Sequence, residues 1–161
     1  MQRTKKIRFL AYAAITSALY VVLTFLSSAF GLASGVIQIR LSEALTVLPA
    51  FTPAAIPGVF IGCLLSNLLT GCLPWDVVFG SLASLIGSLG TYFLRKKGKW
   101  TAPIPPILSN AIIVPLVLQK VYGVPDSYPF LVLTVGIGEI IAAGILGMVV
   151  HRIVARTNLF K

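Results

Sequence analysis

The sequence predicts an all-α fold, an integral membrane bundle of six transmembrane helices that forms one domain over residues 1–161. Hydrophobic residues make up 57% of the chain and charged residues 11%, whereas a soluble domain carries roughly 25% charged residues. Mean hydropathy is +0.96. A surface so poor in charge suits lipid. Six spans of ~20 residues fit this length and leave only short loops.

Basic residues are concentrated beside the apolar segments. Eleven of the thirteen lie in three clusters, and the formal net charge is +9. The clusters are Arg3, Lys5, Lys6 and Arg8; Arg95, Lys96, Lys97 and Lys99; and Arg152, Arg156 and Lys161. Short basic segments that flank apolar spans mark the cytoplasmic side. This pattern predicts a multi-pass protein of the cell membrane with both termini in the cytoplasm, and it argues against nucleic-acid binding.

The six predicted spans follow from apolar runs and their interruptions. They cover residues 7–30, 36–51, 54–70, 76–94, 103–119 and 128–154. A GLASG segment ends the first, a turn at residues 71–74 precedes the fourth, and the basic loop and a polar loop precede the fifth and sixth. The second is amphipathic and too short to cross comfortably. It is therefore expected to be either a short crossing or a helix lying partly in a cavity, giving a short or broken second helix.

Glu139 is the most distinctive candidate for ligand binding. It lies near the middle of the sixth predicted span, where a carboxylate costs on the order of 3 kcal/mol by insertion scales. No basic residue precedes Arg152 in that span. A carboxylate with no local cation suits a ligand that carries N–H donors or positive charge. The alternatives are a structural pair with Arg40 or a protonated acid within the bundle.

Other polar residues in apolar surroundings are candidates for the same site. Arg40 and Glu43 are three residues apart, so a helix places them on one face, where they either pair with each other or reach a ligand. Asn67 and Asn110 are amides that need hydrogen-bond partners when buried. Such amides either join helices to one another or contact a ligand.

Trp75, Asp76 and Tyr122 extend the candidate site toward the non-cytoplasmic half. Trp75 or Tyr122 would cover the face of a flat ring, and Asp76 would accept its N–H groups. The alternative is structural: Trp75 and Tyr122 as interfacial anchors, and Asp76 as an acid that the helix N-terminus favours.

The sequence lacks the residue patterns that are typical of soluble enzymes. His151 stands among arginines near the end of the last span, and Cys63 and Cys72 are read as small buried hydrophobes. A nucleotide-binding glycine loop and a His/Cys cluster with metal spacing are both missing from the sequence. We therefore expect no enzymatic activity, catalytic residue, metal or cofactor.

Two stretches resemble a known family. The sequence IQIRLSEALTVLPAFTPAAIPGVFIGCLLSNLL, which contains R-x-S-E-A-L, and the later PWDVVFGSLASLIGS are similar to the QueT family. That family belongs to the substrate-binding S components of energy-coupling factor (ECF) transporters and is assigned to the uptake of queuosine precursors, which are 7-deazaguanines. The resemblance implies capture of such a base, for example a prequeuosine base or queuine, for import.

The resemblance also implies partners. An S component docks on the transmembrane coupling protein EcfT, which two cytoplasmic ECF ATPase subunits drive. Docking uses an A-x-x-x-A motif in the first helix, which Ala14 and Ala18 match here, with Ala13 as an alternative register. Two other classes remain open at this point: a stand-alone proton-coupled transporter, in which Glu139 carries the proton, and a ligand-free structural or assembly membrane protein.

Overall fold

The structure, a computed structural model, describes residues 2–33 and 37–157. The predicted GLASG break and the start of the second element therefore fall partly outside the described residues, and Lys161 of the last basic cluster lies outside them. The described chain forms a bundle of six helices, here numbered 1 to 6. They cover Gln2–Ala29, Leu41–Ala50, Ala55–Leu69, Pro74–Leu94, Ile104–Lys120 and Tyr128–Thr157.

Within the described residues, four segments are long and apolar enough to cross a membrane: helices 1, 4 and 6, and Lys99–Lys120, which contains the 17-residue helix 5. Helices 2 and 3 are shorter, with 10 and 15 residues. The six helices confirm the predicted membrane bundle and its short second helix. Helix 2 begins at Leu41, later than the predicted residue 36. Gln38, Ile39 and Arg40, which precede it, are not helical.

Helix 2 is a 3-10 helix that lies inside the bundle. Its residues from Ser42 to Pro49 are all buried. Its beginning is held by hydroxyl groups of helix 1: Ser27 Oγ accepts from the backbone N–H of Leu41 at 2.8 Å, and Thr24 Oγ1 donates to Ser42 Oγ at 2.9 Å. A buried helix end needs such partners because its first N–H groups have none within the helix.

The direction of helix 2 follows from contacts at its two ends. It starts beside Ser27, near the end of helix 1, and Phe51 just after it packs against His151 near the end of helix 6, with ring centroids 4.6 Å apart. Helix 2 therefore returns from the far end of helix 1 to the end of the bundle that carries the basic clusters. Helix 3 then runs away again, so the chain passes along the bundle six times.

Close packing of helices 1 and 3 depends on two glycines. Gly58 and Gly62 are one turn apart, and a Cβ added at either would lie 2.7 Å from the Cβ of Thr16 or of Tyr20, respectively. Small residues let helix backbones approach closely in lipid. Thr16, Ser17 and Tyr20 are thus buried against helix 3, whereas Ala14 and Ala18 face outward and are exposed.

Candidate functional site

A small cavity in the interior of the bundle collects polar groups from five helices or their flanks. It is lined by Gln38, Arg40, Glu43, Cys63, Gly80, Ser84, Asn110, Val114, Val135 and Glu139. We call it the Glu139 cavity. Its volume is about 30 Å³, which corresponds to roughly two water molecules. Typical ligand sites measure on the order of 300–1,000 Å³, so the cavity must widen to hold a ring.

Glu43 is held in place by both of its oxygens. Tyr20 Oη donates a short hydrogen bond to Oε1, and Asn110 Nδ2 donates to Oε2 at 3.2 Å. Tyr20 comes from helix 1 and Asn110 from helix 5, so Glu43 of helix 2 joins three helices. This satisfies both acceptor oxygens of a side chain that is only 2% exposed.

Glu139 differs because one of its oxygens is free. Within the part of the chain that the structure describes, Glu139 Oε2 is buried and has no hydrogen-bond partner. The side chain is 8% exposed and lines the cavity, and it also interacts with the Asn110 amide. A buried acceptor without a partner costs ~1–3 kcal/mol. Because this oxygen belongs to a residue that lines the cavity, a donor in the cavity could remove that cost.

The local shape of helix 6 positions Glu139. Glu139 ends an α-helical part, Tyr128–Glu139, and the next residues, Ile140–Leu146, form a π-helix before α-helical geometry resumes at Gly147. The wider π turns change which residues face the bundle on either side of them. Such segments frequently occur at functional sites.

Arg40 brings the positive charge of the site. Its Nη1 donates to Asn67 Oδ1 at 3.4 Å, and the guanidinium attracts both Glu43 and Glu139. Among the described residues, no basic side chain lies within 4.0 Å of the Glu43 or the Glu139 carboxyl group, which is the distance limit for an ion pair. The expected alternatives, a close salt bridge of Arg40 with Glu43 or with Glu139, are therefore not observed. The cavity combines two carboxyl groups with one guanidinium.

Asn67 and Asp76 lie behind the wall of the cavity. Besides accepting from Arg40, Asn67 donates through Nδ2 to Cys63 Sγ at 3.7 Å. A Cβ added at Gly80 would lie 3.1 Å from Asn67 Nδ2 and 3.4 Å from Asp76 Oδ1. Gly80 therefore leaves room for both side chains, and it is itself part of the lining.

Tyr122 and Trp75 lie away from the cavity. Tyr122 Oη donates to Asp76 Oδ2 at 2.8 Å and accepts from the backbone N–H of Leu73 at 3.2 Å, which ties two loops together. Burial, opposed by the Leu73 bond and reinforced by Asp76, raises the pKa of Tyr122 to about 12. Trp75 is 62% exposed and stacks on Phe79, with centroids 6.0 Å apart. Neither residue lines the Glu139 cavity, so ligand contact by either one stays a prediction.

Several site residues are absent from the candidates that the sequence suggested. Tyr20, Gln38, Cys63 and Ser84 contact or line the cavity. Ser84 Oγ donates to Cys63 Sγ at 3.4 Å. The sequence could have indicated Gln38, because an amide beside an apolar run needs hydrogen-bond partners as much as Asn67 does. Ser84 had a weaker signal, as a hydroxyl within an apolar span.

Comparison with known proteins identifies the family of the chain. The family described as QueT transporter matches residues 10–156. A protein of Lactococcus lactis subsp. cremoris named queuosine precursor transporter QueT is 40% identical over 74 residues, which is 45% of this chain and 43% of that protein. The matched region thus spans less than half of that relative. No solved structure matches the chain. Because the family match covers nearly all of the six-helix bundle, the chain belongs to the QueT transporter family.

Proposed function

We propose that this chain is the membrane-embedded S component of an ECF-type importer and that it captures a queuosine precursor built on 7-deazaguanine. Glu139 carries this proposal. Its Oε2 atom is a buried acceptor that lacks a partner among the described residues and lies on a polar cavity. Family membership supports a queuosine precursor as the class of cargo, since the Lactococcus lactis relative is named for one.

The chemistry of the cavity fits such a base. A 7-deazaguanine presents N–H donors at its pyrimidine edge and exocyclic amine, and acceptors at its carbonyl and ring nitrogen. Glu139, supported by Glu43, would accept from the donors, because charge-assisted hydrogen bonds are about twice as strong as neutral ones. The guanidinium of Arg40 would donate to the acceptors, while Asn110 would hold the two carboxyl groups in place. Asn67 and Asp76 would hold the wall behind them.

Partners and orientation belong to the same proposal. The basic end of the bundle would face the cytoplasm, where EcfT and two ATPase subunits would drive release of the base. Ala14 and Ala18 are exposed on helix 1, which leaves them accessible to EcfT. The protein would perform no chemical step on its cargo, so binding and release would be its whole activity.

A titration of the purified chain tests this function. Calorimetry with prequeuosine bases and queuine, with guanine for comparison, is expected to show binding without any partner protein. Uptake into vesicles is expected only when EcfT, both ATPases and ATP are present. Uptake by the chain alone along a pH gradient would favour a stand-alone proton-coupled transporter. Absence of binding to all of these bases would overturn the assignment to cargo capture.

A further inference from the structure

A second cavity adjoins the Glu139 cavity and is far larger. Its volume is about 390 Å³, within the range of typical ligand sites. It is lined by Gln38, Leu118, Val124, Asp126, Phe130, Leu131, Thr134 and Val135. We call it the Asp126 cavity. Its wall includes the loop between helices 5 and 6, at the end of the bundle opposite the basic clusters.

The two cavities share a wall. Gln38 and Val135 line both of them. On helix 6, Leu131, Val135 and Glu139 follow one another at intervals of four residues, so they lie on one face at steps of ~6 Å. Leu131 lies in the Asp126 cavity, Val135 between the two cavities, and Glu139 in the smaller one. The same helix face thus leads from the loop end to the free carboxylate oxygen.

Gln38 is fixed against helix 6 by its backbone. A Cβ added at Gly138 would overlap the Gln38 carbonyl oxygen, so only glycine permits this contact. Arg40, two residues later, bonds to Asn67, and Ile39 donates its backbone N–H to Leu32 at 2.8 Å. Gln38 is therefore a positioned part of the wall between the cavities.

The lining of the Asp126 cavity suits a planar heterocycle. Phe130, Leu118 and Leu131 offer apolar surface for a ring face, and aromatic contacts of this kind favour flat ligands. The Asp126 carboxylate offers an acceptor for N–H groups. The Glu139 cavity, at about 30 Å³, has no room for a bicyclic ring in the present conformation, whereas the Asp126 cavity already does.

We propose that the Asp126 cavity is a separate first binding site for the 7-deazaguanine cargo, which the base occupies before it displaces the Gln38 side chain, whose backbone stays against Gly138, and reaches Glu139. This inference rests on the proposed function. The Asp126 carboxylate holds the base at this first site, and Glu139 holds it at the second. Binding is then a two-step process whose first step depends on Asp126 and whose second step depends on Glu139.

Stopped-flow kinetics on the full chain tests the proposal. A fluorophore on Cys72 serves as reporter, because Cys72 is partly exposed and Cys63 is buried, and the probe ligand is 7-deazaguanine. A two-step process gives an observed rate that saturates with ligand concentration, and the half-saturation concentration measures the first site. Asp126→Asn is expected to raise that concentration about fivefold, the size expected for an exposed charge. It should leave the equilibrium Kd within about twofold, because the final complex no longer contacts Asp126.

Two variants serve as controls. Glu139→Gln is expected to show the reverse pattern, with unchanged half-saturation and a weaker Kd. Lys120→Gln removes a charge near the same loop, from a residue outside the Asp126 cavity lining. If Asp126 acts by direct contact with the base, this variant should leave the half-saturation concentration unchanged. If Asp126 acts only through the electrostatic field at the loop, the variant should change that concentration as much as Asp126→Asn does, in the opposite direction. A rate linear in ligand concentration, or unchanged half-saturation in Asp126→Asn, would overturn the first site while leaving cargo capture intact. Absence of equilibrium binding in calorimetry would instead overturn the proposed function and this inference together.

Discussion

Glu139 and Ser88 are two buried polar groups with different surroundings. Within the described residues, Glu139 Oε2 and Ser88 Oγ are both buried without a hydrogen-bond partner. Glu139 lines a polar cavity, whereas Ser88 is not part of the lining of either the Glu139 or the Asp126 cavity. Each such group costs ~1–3 kcal/mol. Only the unpartnered oxygen of Glu139 is therefore placed where a ligand in the Glu139 cavity could donate to it.

Glu139→Gln is expected to weaken binding of a 7-deazaguanine base by roughly 30-fold or more. Losing one partner of a charge-assisted hydrogen bond in a desolvated pocket costs ~2–5 kcal/mol. Since ~1.4 kcal/mol corresponds to a tenfold change in affinity, even the lower figure gives this loss. The melting temperature should stay the same or rise, because a neutral amide is cheaper to bury than a carboxylate with one unpartnered oxygen. Calorimetry and thermal unfolding on the purified variant measure both quantities.

Ser88→Ala provides the matched control. It removes the other buried group without a partner, so it should raise stability slightly and leave affinity unchanged. Unchanged affinity in Glu139→Gln, together with a wild-type melting temperature, would assign Glu139 a structural role. Equal losses of affinity in both variants would point to a general packing effect instead.

Polar residues within apolar spans were the part of the site that the sequence could predict. Arg40, Glu43, Asn110 and Glu139 line one cavity because a charged or amide group in lipid must face a partner or a cavity. The cost of polar groups in lipid does not point to Tyr20, because a tyrosine ring suits an apolar helix. The hydrogen bond from its hydroxyl to Glu43 depends on how helices 1 and 2 pack. Trp75, Asp76 and Tyr122 do not line that cavity, so their contact with a ligand stays a prediction.

Helix 1 has a buried face and an exposed face. Thr16, Ser17 and Tyr20 are buried against helix 3, while Ala14 and Ala18 are exposed. The alanine pair is therefore not needed for the contact between helices 1 and 3. Small residues on an exposed helix face allow a second helix to approach closely, which is what docking on EcfT would require.

Ala14→Trp and Ala18→Trp are expected to lower transport by roughly tenfold or more, which corresponds to a loss of at least ~1.4 kcal/mol of docking energy. The affinity for the base should stay within about twofold. The reason is steric, because an indole on a close-packed face separates the helices. Reconstituted uptake and calorimetry on the isolated chain measure the two effects. Leu133→Trp, which adds similar bulk at an exposed position of helix 6, should affect neither. Loss of affinity in the alanine variants would place Ala14 and Ala18 in internal packing.

At the scale of the whole molecule, hydropathy was enough to locate the six helices, because apolar runs and their Gly, Pro and basic interruptions are local in sequence. The neighbours of each helix were not predictable in this way. Contacts such as Gly58 on Thr16 or Gly87 on Pro106 depend on shape, and lipid-facing and buried residues are similarly apolar. The interior position of helix 2 is likewise a result of packing.

The topology of the molecule can be tested directly. Six passes place both described ends and the 95–99 loop at one end of the bundle, and the 121–127 loop at the other. If basic segments remain in the cytoplasm, single cysteines at Thr4, Lys97 and Thr157 should react with an impermeant maleimide only after the cells are permeabilised. A cysteine at Ser127 should react in intact cells. All four positions are exposed, so lack of reaction reports sidedness and not burial.

Native Cys72 calibrates this experiment. It lies between helices 3 and 4, where Leu73 bonds to Tyr122, so it shares the end of the bundle with Ser127 and should also react from outside. It is replaced by serine in the single-cysteine variants, and Cys63 is buried and stays unreactive. Labelling of Thr4→Cys but not Thr157→Cys in intact cells, or the reverse, would mean an odd number of crossings. Helix 2 would then not complete a pass through the membrane, and the Asp126 and Glu139 cavities would no longer lie in series along one outward path.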